Sequence, residues 1–225
     1  VARETPHPVD AQTAAPPFEA SFERLVARAG ATAPAAEMAA LHKAFEQRTG
    51  PFGPDDPWFE SRSRAFWDDT MTREGGARAR RGSLPGLVPG DERWAEALGR
   101  SHRGLFQPRT EGGAIVLLDV LTGAELLVHE ADAASRDSLA SNPTLFDGTV
   151  IALASPVRLA LLPGAIFHPE GAEAAIAVVV AAARARSLPD GDLLDALLRM
   201  ELSLRTLSRV KPSYAYRVEA LEQRG

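Results

Sequence analysis

The chain contains no cysteine among its 225 residues. Disulfide frameworks, thiolate nucleophiles and Cys-ligated zinc or iron–sulfur centres are excluded. Lysine is almost missing. Lys43 and Lys211 are the two in the chain, so Schiff-base or lysine-centred phosphate chemistry has few candidates. No phosphate-binding Gly-rich loop, dinucleotide fingerprint or Gly-x-Ser-x-Gly elbow is present. Long apolar runs are missing too. The most apolar stretch, Ala172 to Ala185, is too short and too alanine-rich to cross a bilayer. Val1 to Phe18 lacks the basic start and apolar run of a signal peptide. The expectation is a cytoplasmic chain without cofactor or membrane partner.

What is present is ordinary for a globular protein: 45% hydrophobic and 24% charged residues, in a chain long enough to bury a core without staples. The net charge of -5 is unevenly spread. Residues 73–109 carry 8 Lys/Arg against 4 Asp/Glu, and residues 110–171 carry 2 against 8. The second block is strand-rich. An acidic sheet is a poor phosphate-binding surface, because nucleic-acid affinity rests on basic contacts that release counterions.

Periodicity divides the chain into five regions. Residues 1–17 hold Pro6, Pro8, Pro16 and Pro17 and read as an extended or disordered arm. Residues 18–72 read as helices: about 18–29, 34–48 and 57–71, with Thr49-Gly50-Pro51 stopping the second. Residues 73–90 form a basic Gly/Arg-rich loop. Residues 91–168 read as a helix to about His102 followed by a small β-barrel-like module. Its clearest signal is a hairpin, Ala114 to Leu121 and Glu125 to His129, turning at Thr122-Gly123. Strands near 105–107, 149–154, 157–162 and 165–167 complete it, with a helical turn near 132–140. Residues 169–225 read as C-terminal helices and a tail. Leu193, Leu197, Met200, Leu204 and Leu207 stripe the second helix, while Leu194, Leu198 and Leu202 widen the stripe, predicting contact on two sides. The fold class is therefore α+β: N-terminal helices, a small antiparallel barrel-like β module and a C-terminal helical pair.

Three groups of residues are candidates for function. Aromatics are 6% of the chain, so the cluster Trp58, Phe59, Phe66 and Trp67 on one helix, and the pair Tyr214 and Tyr216 in the tail, mark packing centres or partner-binding surfaces. Asp55, Glu60, Asp68 and Asp69 are the metal-ligating alternative, since oxygen ligands suit a divalent cation. Capping and a solvated helix face account for the same residues. Arg78, Arg80 and Arg81 are the nucleic-acid-binding alternative, although no aromatics interleave with them. His129-Glu130-Ala131-Asp132 and His168-Pro169-Glu170 read as a strand end and a helix start.

The runs Phe66-Trp67-Asp68-Asp69, Leu117-Leu118-Asp119-Val120-Leu121-Thr122-Gly123 and Leu161-Leu162-Pro163-Gly164-Ala165-Ile166-Phe167-His168-Pro169 resemble an uncharacterised family of bacterial proteins. In such proteins a helical part precedes a small β module built on a Leu-Thr-Gly turn. Looser relatives carry a Cys-rich zinc-binding tail, which this chain lacks. The resemblance spans about residues 50–170, rests on turns, and implies no activity. The functional expectation is a non-enzymatic interaction or adaptor protein that binds a protein partner or itself. A metal-dependent hydrolase and a single-stranded nucleic-acid binder are the alternatives.

Overall fold

The computed structural model describes residues 17–73, 87–88, 90–154, 156–207 and 210–222. The arm at 1–16 and most of the basic loop, including Arg78, Arg80 and Arg81, lie outside the described residues. Three helices come first: α1 (Phe18–Thr32), α2 (Ala35–Thr49) and α3 (Phe59–Thr72). A short α4 (Asp91–Ala97) and one 3-10 turn lead into β1 (Ser101–Glu111). Then follow β2 (Ala114–Asp119), β3 (Glu125–Val128), α5 (Ala133–Ser141), β4 (Phe146–Ala154), β5 (Val157–Leu161) and β6 (Ile166–Phe167). The chain ends with α6 (Glu173–Ala185), α7 (Asp190–Thr206) and two 3-10 turns, Pro212–Tyr214 and Val218–Leu221.

The strands form one antiparallel sheet in the order β3-β2-β1-β4-β5, with β6 beside β4. It curls into a half-barrel. Its two edges meet at one corner, where Glu130 bridges Ala160 and the His129 and Glu130 N–H groups both donate to the Leu159 carbonyl. The curl has a local cause. Gly104 and Gly148 face each other across β1 and β4. The rings of Phe106 and Phe146, two residues along on the same face, fold over the space that Cβ atoms would fill, 2.8 and 2.7 Å away. Both rings belong to the half-barrel core with Leu117, Val128, Val150 and Leu161.

The helices of both ends cover the sheet. Phe18, Phe22 and Leu25 of α1 pack with Trp94 of α4 against Ile151 and Leu153 of β4. Leu105 of β1 is buried with Ile176 and Val179 of α6 and Leu193, Leu197 and Met200 of α7. Leu198 of α7 instead joins Phe45, Phe52, Phe66 and Ile166. The broad leucine face of α7 thus contacts two cores, as its breadth predicts.

The sequence reading needs one correction. The helix expected to reach His102 ends at Ala97, and Ser101 to Phe106 pair with Phe146 to Ile151. His102 is a strand residue. The expected short strand at 105–107 is an eleven-residue strand, because pairing on both sides overrides weak local preference.

The loop between β5 and β6 touches α3 backbone to backbone. A Cβ at Gly164 would lie 2.5 Å from the Ala65 Cα and 2.6 Å from the Ala65 nitrogen. Gly164→Ala forces helix and loop apart. The expected loss is at least about 2 kcal/mol, read as a lower urea midpoint at unchanged m-value. An unchanged midpoint would show that this close approach does not exist in solution.

Candidate functional site

Two helices and two loop residues enclose a cleft of about 210 Å³. α1 supplies Glu19, Phe22, Glu23 and Val26, which sit at helical spacing on one face. α3 supplies Arg64, Trp67 and Asp68, again one face of a helix. Pro163 and Asp132 complete it. Phe22, Val26 and the Trp67 ring are its apolar lining, and the carboxylates of Glu19, Glu23, Asp68 and Asp132 give it a negative balance. The cation among its lining residues, Arg64, already donates to Glu60 at 2.6 Å. Asp132 is fixed as the N-cap of α5, accepting from the Ser135 N–H at 3.0 Å and the Ser135 hydroxyl at 2.6 Å. The Trp67 ring reaches across to α1, where a Cβ at Gly30 would come within 3.2 Å of it.

Asp68 is the unusual member. It is 4% exposed. Its Oδ2 accepts the Gly164 N–H at 2.7 Å, while its Oδ1 is buried with no partner among the described residues. Burial pushes its carboxyl well above the usual range. The Gly164 N–H opposes this, and the carboxylates of Asp132, Asp147 and Asp69 add to it. Asp68 also lines a small pocket of about 30 Å³ with Thr72, Arg103, Asp147 and Thr149.

Behind that pocket an alternating ion network ties the chain's parts together. Arg103 of β1 grips Asp147 of β4 through two bonds, 3.0 and 2.8 Å, and reaches Asp195 of α7 at 2.6 Å. Arg48 of α2 also holds Asp195, at 2.9 Å, and Asp69 of α3, at 2.6 Å. Arg73 closes the set on Asp69 at 2.9 Å. Burial alone would lower the Arg103 guanidinium, but Asp147 and Asp195 outweigh it and hold it raised. Burial would likewise raise Asp195, yet Arg103 and Arg48 keep its carboxyl below the usual range. Two-ended guanidinium pairing of this kind fixes orientation as well as charge.

The candidates from sequence fall in different places. Phe66 is 6% exposed and Trp58 and Trp67 pack on the same cluster, so that part of the aromatic helix is largely a packing centre. Phe59 is 38% exposed. Tyr216 is buried in a different core, its hydroxyl 2.8 Å from Nδ1 of His168, while Tyr214 is 65% exposed. The acidic group does not converge. Asp55 is exposed, Glu60 pairs with Arg64, Asp69 pairs with Arg48 and Arg73, and Asp68 bonds Gly164. Among the described residues no three carboxylate or imidazole side chains gather as an ion-binding set. Arg78, Arg80 and Arg81 lie outside the described residues.

Sequence reasoning places Val26 only on the apolar stripe of α1 and does not single out Glu19 and Glu23, or Arg103, Asp147 and Asp195. The signal for the first set was present in the i, i+4, i+7 spacing of α1, but a second helix had to be placed opposite it. The second set comes from three elements far apart in the chain and left no local pattern.

No protein-family model matches the chain, and comparisons with curated proteins and solved structures find no significant match. No helix among the described residues is long and apolar enough to cross a membrane.

Proposed function

We propose that this is a non-enzymatic interaction protein that docks a partner protein through the cleft between α1 and α3. The observation that carries the reading is the cleft itself: apolar walls, several carboxylates, and one buried carboxylate oxygen, on Asp68, that no described residue satisfies. Buried polar atoms are normally paired, and an unpaired one costs stability. A group kept at such a cost inside a concave site is a recurring mark of a functional position. Glu60 and Asp69 of the hydrolase alternative are instead engaged by arginines of the scaffold, and its four acids do not converge among the described residues, which favours binding over hydrolysis.

The test is affinity capture from native lysate with wild type and with Val26→Arg, a charge placed on the half-buried cleft wall of α1. A partner recovered near one-to-one by wild type and lost by a folded Val26→Arg supports the reading. A partner retained undiminished by Val26→Arg moves the interface elsewhere. Capture of nucleic acid, or of nothing, overturns it.

A further inference from the structure

We infer that the cleft between α1 and α3 receives an arginine side chain of the partner protein, its guanidinium over Trp67 and bonded to Asp68. The inference rests on the docking function proposed above and names its ligand chemistry.

Size comes first. A cleft of about 210 Å³ falls below the roughly 300–1,000 Å³ of sites that enclose drug-sized ligands. It suits one long side chain. Charge comes second. Glu19, Glu23 and Asp132 face a single lining cation, Arg64, which is already bonded to Glu60. The site therefore repels anions and favours a cation. Geometry comes third. A guanidinium is flat, stacks on an indole face and donates through a planar fork, whereas an ammonium is a strongly hydrated point charge. Trp67 lines the site, and so does Asp68, whose Oδ1 is buried with no partner among the described residues. The long aliphatic stem of arginine would lie along Phe22 and Val26. An arriving cation would also offset the burial that disfavours the charged form of Asp68.

The experiment uses the full chain and follows the Trp67 indole N–H by NMR, assigned with Trp67→Phe. Three capped tripeptides are titrated in, with Arg, Lys or citrulline at the centre, and agmatine is titrated separately. The Arg peptide is expected to shift the Trp67 signal saturably. Citrulline keeps the shape but loses the charge, and should bind about tenfold more weakly or worse, as the loss of a charge-assisted bond implies. Asp68→Asn should weaken the Arg peptide by about tenfold, while Glu222→Gln, outside the cleft, should leave it unchanged.

Equal binding of the Arg and citrulline peptides would overturn the guanidinium assignment, and so would Lys binding as tightly as Arg. Agmatine binding more than about tenfold tighter than the Arg peptide would make the occupant a free guanidino compound and overturn the protein source. Each of these outcomes is independent of the Val26→Arg capture result. A partner lost by Val26→Arg with no arginine preference refutes the ligand chemistry alone.

Discussion

Arg62→Ala is expected to destabilise the protein by about 3–5 kcal/mol, the cost of leaving a buried charge without its partner. Arg62 and Glu201 are each 1% exposed and bonded to each other. Arg62 also donates to the Leu198 carbonyl at 2.8 Å and the Thr49 carbonyl at 3.3 Å, so one guanidinium joins α3 to α7 and to the end of α2. Burial lowers it, and Glu201 opposes that shift. Alanine removes this cation and leaves Glu201 with Arg205, whose side chain is 44% exposed and well solvated. The double replacement Arg62→Met with Glu201→Leu should cost far less than the sum of the single losses, because it removes both desolvated charges together. Arg205 would simply turn to water. Urea midpoints of the two single variants and the double variant decide the matter. Single losses that add without coupling would mean that the pair contributes nothing as a pair.

Much of the fold is legible along the chain because it rests on local chemistry. The Thr122-Gly123 turn is one example. The Asp119 carboxylate accepts the Leu121 N–H at 2.9 Å and the Thr122 hydroxyl at 2.6 Å, so the turn is written in consecutive residues. The α7 leucines are legible for the same reason. The β1–β2 hairpin was equally local but less conspicuous. Gly112 and Gly113 both adopt positive φ in a two-residue turn between Glu111 and Ala114. The residues before Gly104 lack β-branched side chains, and β1 is identifiable there only once β4 is beside it. The cleft between α1 and α3 was not legible in this way. Val26 reads as part of the apolar stripe of α1, and Glu19 and Glu23 as its solvated edge, until Trp67 and Asp68 of α3 stand opposite. Asp68 itself reads as one acid among several. Only the tertiary fold separates it from Asp69, its neighbour, which is paired with two arginines.

His168 should make stability fall on acidification, by roughly 1.4 kcal/mol per pH unit below its unfolded value of 6.5. It is 1% exposed. Burial, with Arg62 and Arg205 nearby, pushes its imidazole down to about 3. The folded chain therefore keeps His168 neutral while the unfolded chain takes up a proton below pH 6.5. The unfolded state binds more protons in that window, so stability is present above 6.5 and is lost as pH falls toward 3. Asp68 acts in the opposite sense. Its folded carboxyl is raised above 3.8, so its contribution is lost as pH rises from 3.8 through the folded value. Asp147, raised by burial against the pull of Arg103, adds to that side. The wild-type profile between pH 4 and 6.5 is thus a sum of opposing slopes and conceals both. Single variants expose them. His168→Asn should be less stable than wild type at pH 7.5, since the contact with Tyr216 is altered, and the gap should narrow steadily below pH 6.5. Asp68→Asn should gain on wild type as pH rises above 3.8. Urea titrations at half-unit intervals give both differences. A His168→Asn gap that stays constant from pH 7.5 to 4.5 would mean that the imidazole takes its proton in the folded chain as readily as in the unfolded one. The buried His168–Tyr216 pair would then not be the acid-sensitive joint between the β module and the C-terminal tail.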